Sequence, residues 1–243
     1  MSAVPVSGFS FVRNAVKYGY PVAAALRSVA PLVDELVVAV GDSDDGTLEL
    51  VRGLGIPQLR IIETVWDESL RQGGLILSQQ TNVALAACRH PWALYIQADE
   101  VVHEDDHGRI RAALARWHGD PSVDALRFRF LHFEGTYAYV NYVRYRKQCR
   151  LVRNNGRAYW KRRVHEQMCG VDIKHELRDL SAPIIRHFGF LKTQERLDKI
   201  VEICNINWKA DQEHAETYGL ELRAGTANGP SYWREVEAKA YVG

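Results

Sequence analysis

Carboxylates gather at the ends of two apolar runs. Leu36-Val37-Val38-Ala39-Val40 leads into Gly41-Asp42-Ser43-Asp44-Asp45-Gly46-Thr47, and Trp92-Ala93-Leu94-Tyr95-Ile96 leads into Gln97-Ala98-Asp99-Glu100. Grouped carboxylate oxygens hold a hard divalent cation and, through it, a diphosphate. Each cluster also has a plainer reading. Asp44 to Thr47 suit a turn followed by a helix N-cap, and Asp99 or Glu100 suits a solvated strand end. Two clusters closing successive apolar runs favour one shared nucleotide and metal site.

Runs this apolar suit strands buried on both faces of a largely parallel sheet, where ligands bind beyond the carboxyl ends of the strands. Both clusters would then share an edge. The rest of the pattern agrees with such a sheet. A strand is expected over residues 6–12 and a helix over 21–33, with proline in its first turn and Ala24, Leu26, Val29 and Leu32 along it. Thr47 opens a short helix that Gly55 and Pro57 end, and 59–63 reads as the next strand. Gly73-Gly74 precedes a helix carrying Leu77, Thr81, Ala84, Leu85 and Cys88, and a further helix is expected over 104–117. Alternating helices and strands predict an α/β fold with a mostly parallel sheet covered on both sides.

After Pro121 the pattern changes. Leu126, Phe128 and Phe130 alternate with Arg127 and Arg129, the period of a strand with one buried face, and 145–152 reads as another. His132, Phe133, Tyr137, Tyr139, Tyr142 and Tyr145 surround them, as core and hairpin packing or as a stacking surface for sugar rings. Trp160-Lys161-Arg162-Arg163 is a small basic cluster that could face phosphate or lie in a solvated loop. From Thr193 a broad amphipathic helix is expected, then a loop over 225–230 and a last helix over 232–241. The expected division is a domain over 1–190 and a C-terminal helical extension over 191–243.

Composition narrows the partners. Across 243 residues, Lys and Arg total 31 against 30 Asp and Glu, so no global field favours nucleic acid or an anionic membrane. No run approaches the roughly 20 apolar residues of a spanning helix, and no signal-peptide pattern opens the sequence. A cytoplasmic protein without a transmembrane segment is expected, with room for peripheral membrane contact. Cys88, Cys149, Cys169 and Cys204 form no C-x-x-C pair, which argues against a zinc knuckle or a disulfide framework.

Taken together, Ser43-x-Asp45-Gly46-Thr47, Gln97-Ala98-Asp99-Glu100 and Val164-His165-Glu166 resemble the motifs of a family 2-type glycosyltransferase with the GT-A fold. The resemblance covers most of residues 4–190. It implies transfer of a sugar from a nucleoside-diphosphate sugar to a glycan, lipid-linked or other hydroxyl acceptor, with inversion and with Mn²⁺ or Mg²⁺ as cofactor. Ser10, Phe11, Arg13 and Asn14 would form the first nucleotide loop, and Asp42, Ser43 and Asp45 the second. Gln97 and Ala98 would line the donor site, while Asp99 matches the final carboxylate of the metal motif. His187 corresponds to a late histidine that contacts metal or diphosphate in some relatives, or is a satisfied structural group. Arg71 could reach the diphosphate and Asn82 the sugar. Glu166 is the expected general base, His165 the second choice, and Glu100 a carboxylate near the positively charged sugar centre.

Two positions depart from the family pattern. Gln97 stands where the metal motif begins with an acid, which weakens the charge available to a cation. The pyrimidine-contacting aspartate of many relatives falls at Val40 or Gly41. Two other readings stay open: a sugar-nucleotide nucleotidyltransferase, and a catalytically silent GT-A binding module.

Overall fold

The computed structural model describes residues 4–70, 74–134, 136–141, 147–161, 167–171, 184–190 and 233–235. Its first half is a parallel block. Strands β1 (Val6–Val12), β2 (Glu35–Gly41), β3 (Leu59–Thr64) and β4 (Trp92–Tyr95) pair side by side in the order β3-β2-β1-β4. All seven residues of β2 are buried, as expected of a strand covered on both faces. Helix α1 (Val22–Val29) buries Val22, Ala25, Leu26 and Val29, a 3.6-residue stripe, and a 3-10 turn continues it through Leu32. Helix α2 (Thr47–Arg52) starts after Gly46, whose φ of 81° is one that glycine adopts without steric cost. Helix α3 (Leu75–Ala86) starts after Gly74, and α4 is His107–Trp117.

The second half extends the sheet with antiparallel strands. Here β8 (Lys147–Arg153) pairs with β4, β6 (Ala125–Glu134) with β8, and β7 (Thr136–Asn141) with β6. Strand β11 (Ile184–Phe190) runs parallel to β6 and antiparallel to β5 (Glu100–Val102), the short strand that begins at the last residue of the second acidic cluster. A small separate hairpin joins β9 (Tyr159–Lys161) to β10 (Gln167–Cys169).

Successive side chains of β1 divide between two cores. Val6 and Val12 pack with α1, α4 and the apolar side of β6, while Phe9 packs with α3, Tyr95 and Trp160 of β9. Phe9 and Tyr95 stack at 5.0 Å, and Trp160 meets both edge-on.

One expectation near the C-terminus is corrected. Trp233–Glu235, read as part of a last helix, is strand β12, paired antiparallel with β7. The helix expected from Thr193 and the loop over 225–230 lie outside the described residues, as does most of the expected C-terminal extension. No helix among the described residues is long and apolar enough to cross a membrane.

Candidate active site

Because β1 to β4 run parallel, the loops that follow them emerge on one edge of the sheet. Residues 13–17, 42–47, 65–68 and 97–99 therefore lie along that edge, where the sequence placed the two acidic clusters.

Side chains tie the first two loops together. Asn14 donates its N–H to Ser43 Oγ at 3.0 Å, and its own Oδ1 accepts the Asp44 N–H at 3.1 Å. Asn14 has a φ of 53°, a left-handed conformation that asparagine tolerates better than most residues. Thr47 Oγ1 accepts the N–H of Ala15 at 2.7 Å and donates to Asp45 Oδ1 at 2.6 Å. Asp45 Oδ2 accepts the Lys17 N–H at 2.6 Å. Burial works to raise the Asp45 pKa, but the N–H groups of Lys17, Thr47 and Val16 and the Thr47 hydroxyl outweigh it and hold the carboxyl below its ordinary value. Expected as a donor-binding residue, Asp45 spends its oxygens on the loop framework.

Arg13 crosses the same edge. It forms ion pairs with Asp42 at 3.2 Å and Glu68 at 2.5 Å, and its guanidinium lies 5.2 Å from the Trp66 ring. An incoming phosphate would compete with both carboxylates for it. The Phe11 ring lies 6.1 Å from the Trp66 ring, and the backbone N–H of Trp66 donates to Asp42 Oδ1 at 3.2 Å. Gly41, one of the two positions where the pyrimidine-contacting acid of the family would fall, has a steric explanation: a Cβ there would collide with the Trp66 indole. The indole occupies the space that a carboxylate would need.

The second acidic cluster lies against His187. Asp99 Oδ2 lies 3.5 Å from His187 Nε2, and the Phe188 N–H donates to the Asp99 carbonyl at 2.8 Å. Register explains the meeting, since His187 sits opposite Glu100 on β5 and His132 on β6. His187 Nδ1 in turn lies 3.3 Å from His132 Nδ1.

Glu100, expected near the sugar, is instead fully buried at 0% exposure. Arg150 of β8 grips it with two nitrogens, Nε to Oε2 at 2.9 Å and Nη2 to Oε1 at 2.6 Å, and Oε2 also accepts the Gln97 N–H at 3.1 Å. Arg150 lies between Tyr95 at 5.0 Å and Phe130 at 5.1 Å, and Phe130 stacks on His132 at 5.7 Å. These contacts close a ring, Asp99 to His187 to His132 to Phe130 to Arg150 to Glu100, which returns to the turn where it began. Glu100 thus braces the turn that presents Asp99.

The remaining expected residues are placed as follows in the fold. Asn82 exchanges two hydrogen bonds with the Trp160 backbone, both 2.8 Å, and so clamps α3 to β9. Ser10 is buried on the strand face of Val6 and Val12, with its hydroxyl unpaired among the described residues. Gln97 and Ala98 sit half-buried in the Asp99 turn, where the Gln97 amide N–H group lies 3.4 Å from the Tyr95 hydroxyl. Arg71, His165 and Glu166 lie outside the described residues.

Arg150 is the main residue the sequence reading missed. An arginine between Cys149 and Leu151-Val152 requires a buried counter-charge, and that signal was available. Trp66 and Glu68, which enclose Arg13, carried no comparable sign.

The residues fit a divalent cation in chemistry. A carboxylate and an imidazole nitrogen face one another on the edge at the carboxyl ends of the parallel strands, and His187 has a second buried partner for its other nitrogen. Among the described residues, no group of three or more acidic, histidine or cysteine side chains forms a complete protein cage. Two protein ligands suit Mg²⁺ or Mn²⁺ sites that take their remaining oxygens from phosphate and water.

No family model matches the chain, and no curated protein matches it in sequence. Solved structures do match in shape. S. aureus TarS aligns over 88% of this chain and 42% of its own, with a TM-score of 0.53 and 15% identity. TarS residues 1–349 in complex with UDP-GlcNAc aligns over 88% and 71%, with a TM-score of 0.51 and 15% identity. The chain spans less than half the length of the longer TarS structure. Its α/β architecture, a large sheet flanked by helices, is a GT-A fold.

Proposed function

We propose that this protein is a glycosyltransferase that moves a sugar from a nucleoside-diphosphate sugar to an acceptor hydroxyl, with inversion. The observation that carries this reading is the meeting of Asp99 and His187 at 3.5 Å on the same edge as the two interlocked loops. A similar fold binds UDP-GlcNAc in TarS, which supports a nucleotide sugar as the donor class.

In this mechanism Asp99 and His187 would hold Mn²⁺ or Mg²⁺. A cation held there would supply positive charge against the negative charge of the departing diphosphate. The interlocked loops bind the nucleoside, Trp66 and Phe11 offer apolar ring surface beside it, and Arg13 can pass from Asp42 and Glu68 to a phosphate oxygen. Glu100 and Arg150 keep the Asp99 turn fixed as charge develops nearby, so the site needs little reorganisation. Glu166 takes the proton from the acceptor hydroxyl, with His165 the alternative. Substituting Glu166→Gln should lower turnover by roughly 10²–10⁴ while donor binding stays nearly unchanged.

Thermal unfolding with a panel of nucleoside diphosphates, with and without Mn²⁺, tests donor binding. A ligand at about a hundred times its dissociation constant should stabilise the fold by roughly 2.7 kcal/mol. No shift with any of them would count against the enzyme. Binding without sugar release would favour the silent module that Gln97 keeps open.

A further inference from the structure

We infer that His132 is a positioning residue for the cation site: it holds the His187 imidazole with Nε2 turned to Asp99 and so sets how tightly a divalent cation binds. The inference rests on the assignment of Asp99 and His187 to that cation.

His132 reaches His187 because β6 and β11 pair in register at these two residues. It is 1% exposed, and its ring meets the His187 ring edge-on at 4.9 Å while stacking on Phe130 at 5.7 Å. A phenylalanine or leucine would fill such a place beside Phe130 without any polar cost. A second histidine puts a ring nitrogen there instead, and its Nδ1 lies 3.3 Å from His187 Nδ1.

A neutral imidazole has one N–H donor and one acceptor nitrogen. Two Nδ1 atoms that face each other can share only one hydrogen. Once His187 gives the Nε2 lone pair to a cation, its hydrogen must sit on Nδ1 and be donated to His132 Nδ1. His132 then carries its own hydrogen on Nε2. Without the cation, His187 can keep its hydrogen on Nε2, facing Asp99 Oδ2, and the shared hydrogen belongs to His132. Cation binding therefore relocates one hydrogen on each ring, and the pair neither gains nor loses a proton. A partner of this kind orients the ligating ring and raises its basicity, and its removal typically costs 10- to 100-fold in metal affinity.

The test is Mn²⁺ titration followed by electron paramagnetic resonance, with and without UDP, on wild type, His132→Leu, His132→Asn and His187→Ala. Asparagine places an acceptor oxygen near the position of Nδ1, whereas leucine offers none. The inference predicts Mn²⁺ affinity 10- to 100-fold weaker in His132→Leu and within a few-fold of wild type in His132→Asn. A folded His132→Leu protein with wild-type affinity overturns the inference and leaves the cation site standing. Wild type and His187→Ala with equal affinity would instead overturn the site itself. Should His132→Leu not fold, ¹⁵N spectra of the Mg²⁺-loaded wild type decide. Hydrogen on His187 Nδ1 with His132 Nδ1 bare is the expected result, and hydrogen on His132 Nδ1 would contradict it.

Discussion

Glu100 and Asp99 are neighbours with opposite circumstances. Glu100 is buried against Arg150, while Asp99 faces His187 at the carboxyl edge of the parallel strands. Removing one member of a buried ion pair leaves the other charge uncompensated, at a cost of about 3–5 kcal/mol. Glu100→Ala should therefore lower stability by about that amount in urea unfolding, and a loss under about 1 kcal/mol would contradict the bracing role. Asp99 should behave differently. Asp99→Asn is expected to leave the unfolding midpoint nearly unchanged and weaken Mn²⁺ binding. Gln97→Asp should tighten Mn²⁺ binding, since an added carboxylate raises the affinity of an oxygen site for a hard cation. Calorimetry giving one Mn²⁺ affinity for wild type and both variants would remove Asp99 from the site. The sequence shows that carboxylates cluster here, but it could not show which one turns inward. That depends on Arg150 arriving from β8, fifty positions away.

At the scale of elements, the strands of the parallel block were legible because burial on both faces demands continuous apolar runs, as in β2. Asn82 was not legible. Nothing in its spacing shows that the β9 backbone crosses α3 and takes both ends of the amide. The strand at Trp233–Glu235 was equally hidden, because its extended form is fixed by pairing with β7 and not by local pattern. The interlocked loops carry a pH dependence. The Asp45 carboxyl has an ordinary value of 3.8 and is held below it. Its folded pKa is depressed, so its stabilising contribution is complete above the unfolded value and is lost as pH falls through the lower folded one. Glu35 follows the same rule: burial opposes the shift, and Ser7, the Arg89 N–H and Arg60 overcome it. Unfolding midpoints should stay level down to about pH 5 and fall below about pH 4, with a shallower fall in Asp45→Asn. An Asp45→Asn acid limb identical to wild type would show that the aspartate does not hold the loops.

Over the whole molecule, the sheet serves two ends. Its parallel half aligns four loops on one edge, and its antiparallel half sends β6, β8 and β11 back to that edge with His132, Arg150 and His187. Neither half completes the site alone. The proposed site is brought together by long-range register, so point substitutions distant in sequence should converge on one phenotype. The most direct measurement is release of nucleoside diphosphate from a panel of nucleotide sugars in the presence of Mn²⁺, comparing wild type with Asp99→Asn. Wild type should release nucleoside diphosphate slowly from at least one nucleotide sugar, and Asp99→Asn should lose that release. Release from none of them, or equal release by both proteins, would contradict the proposed function.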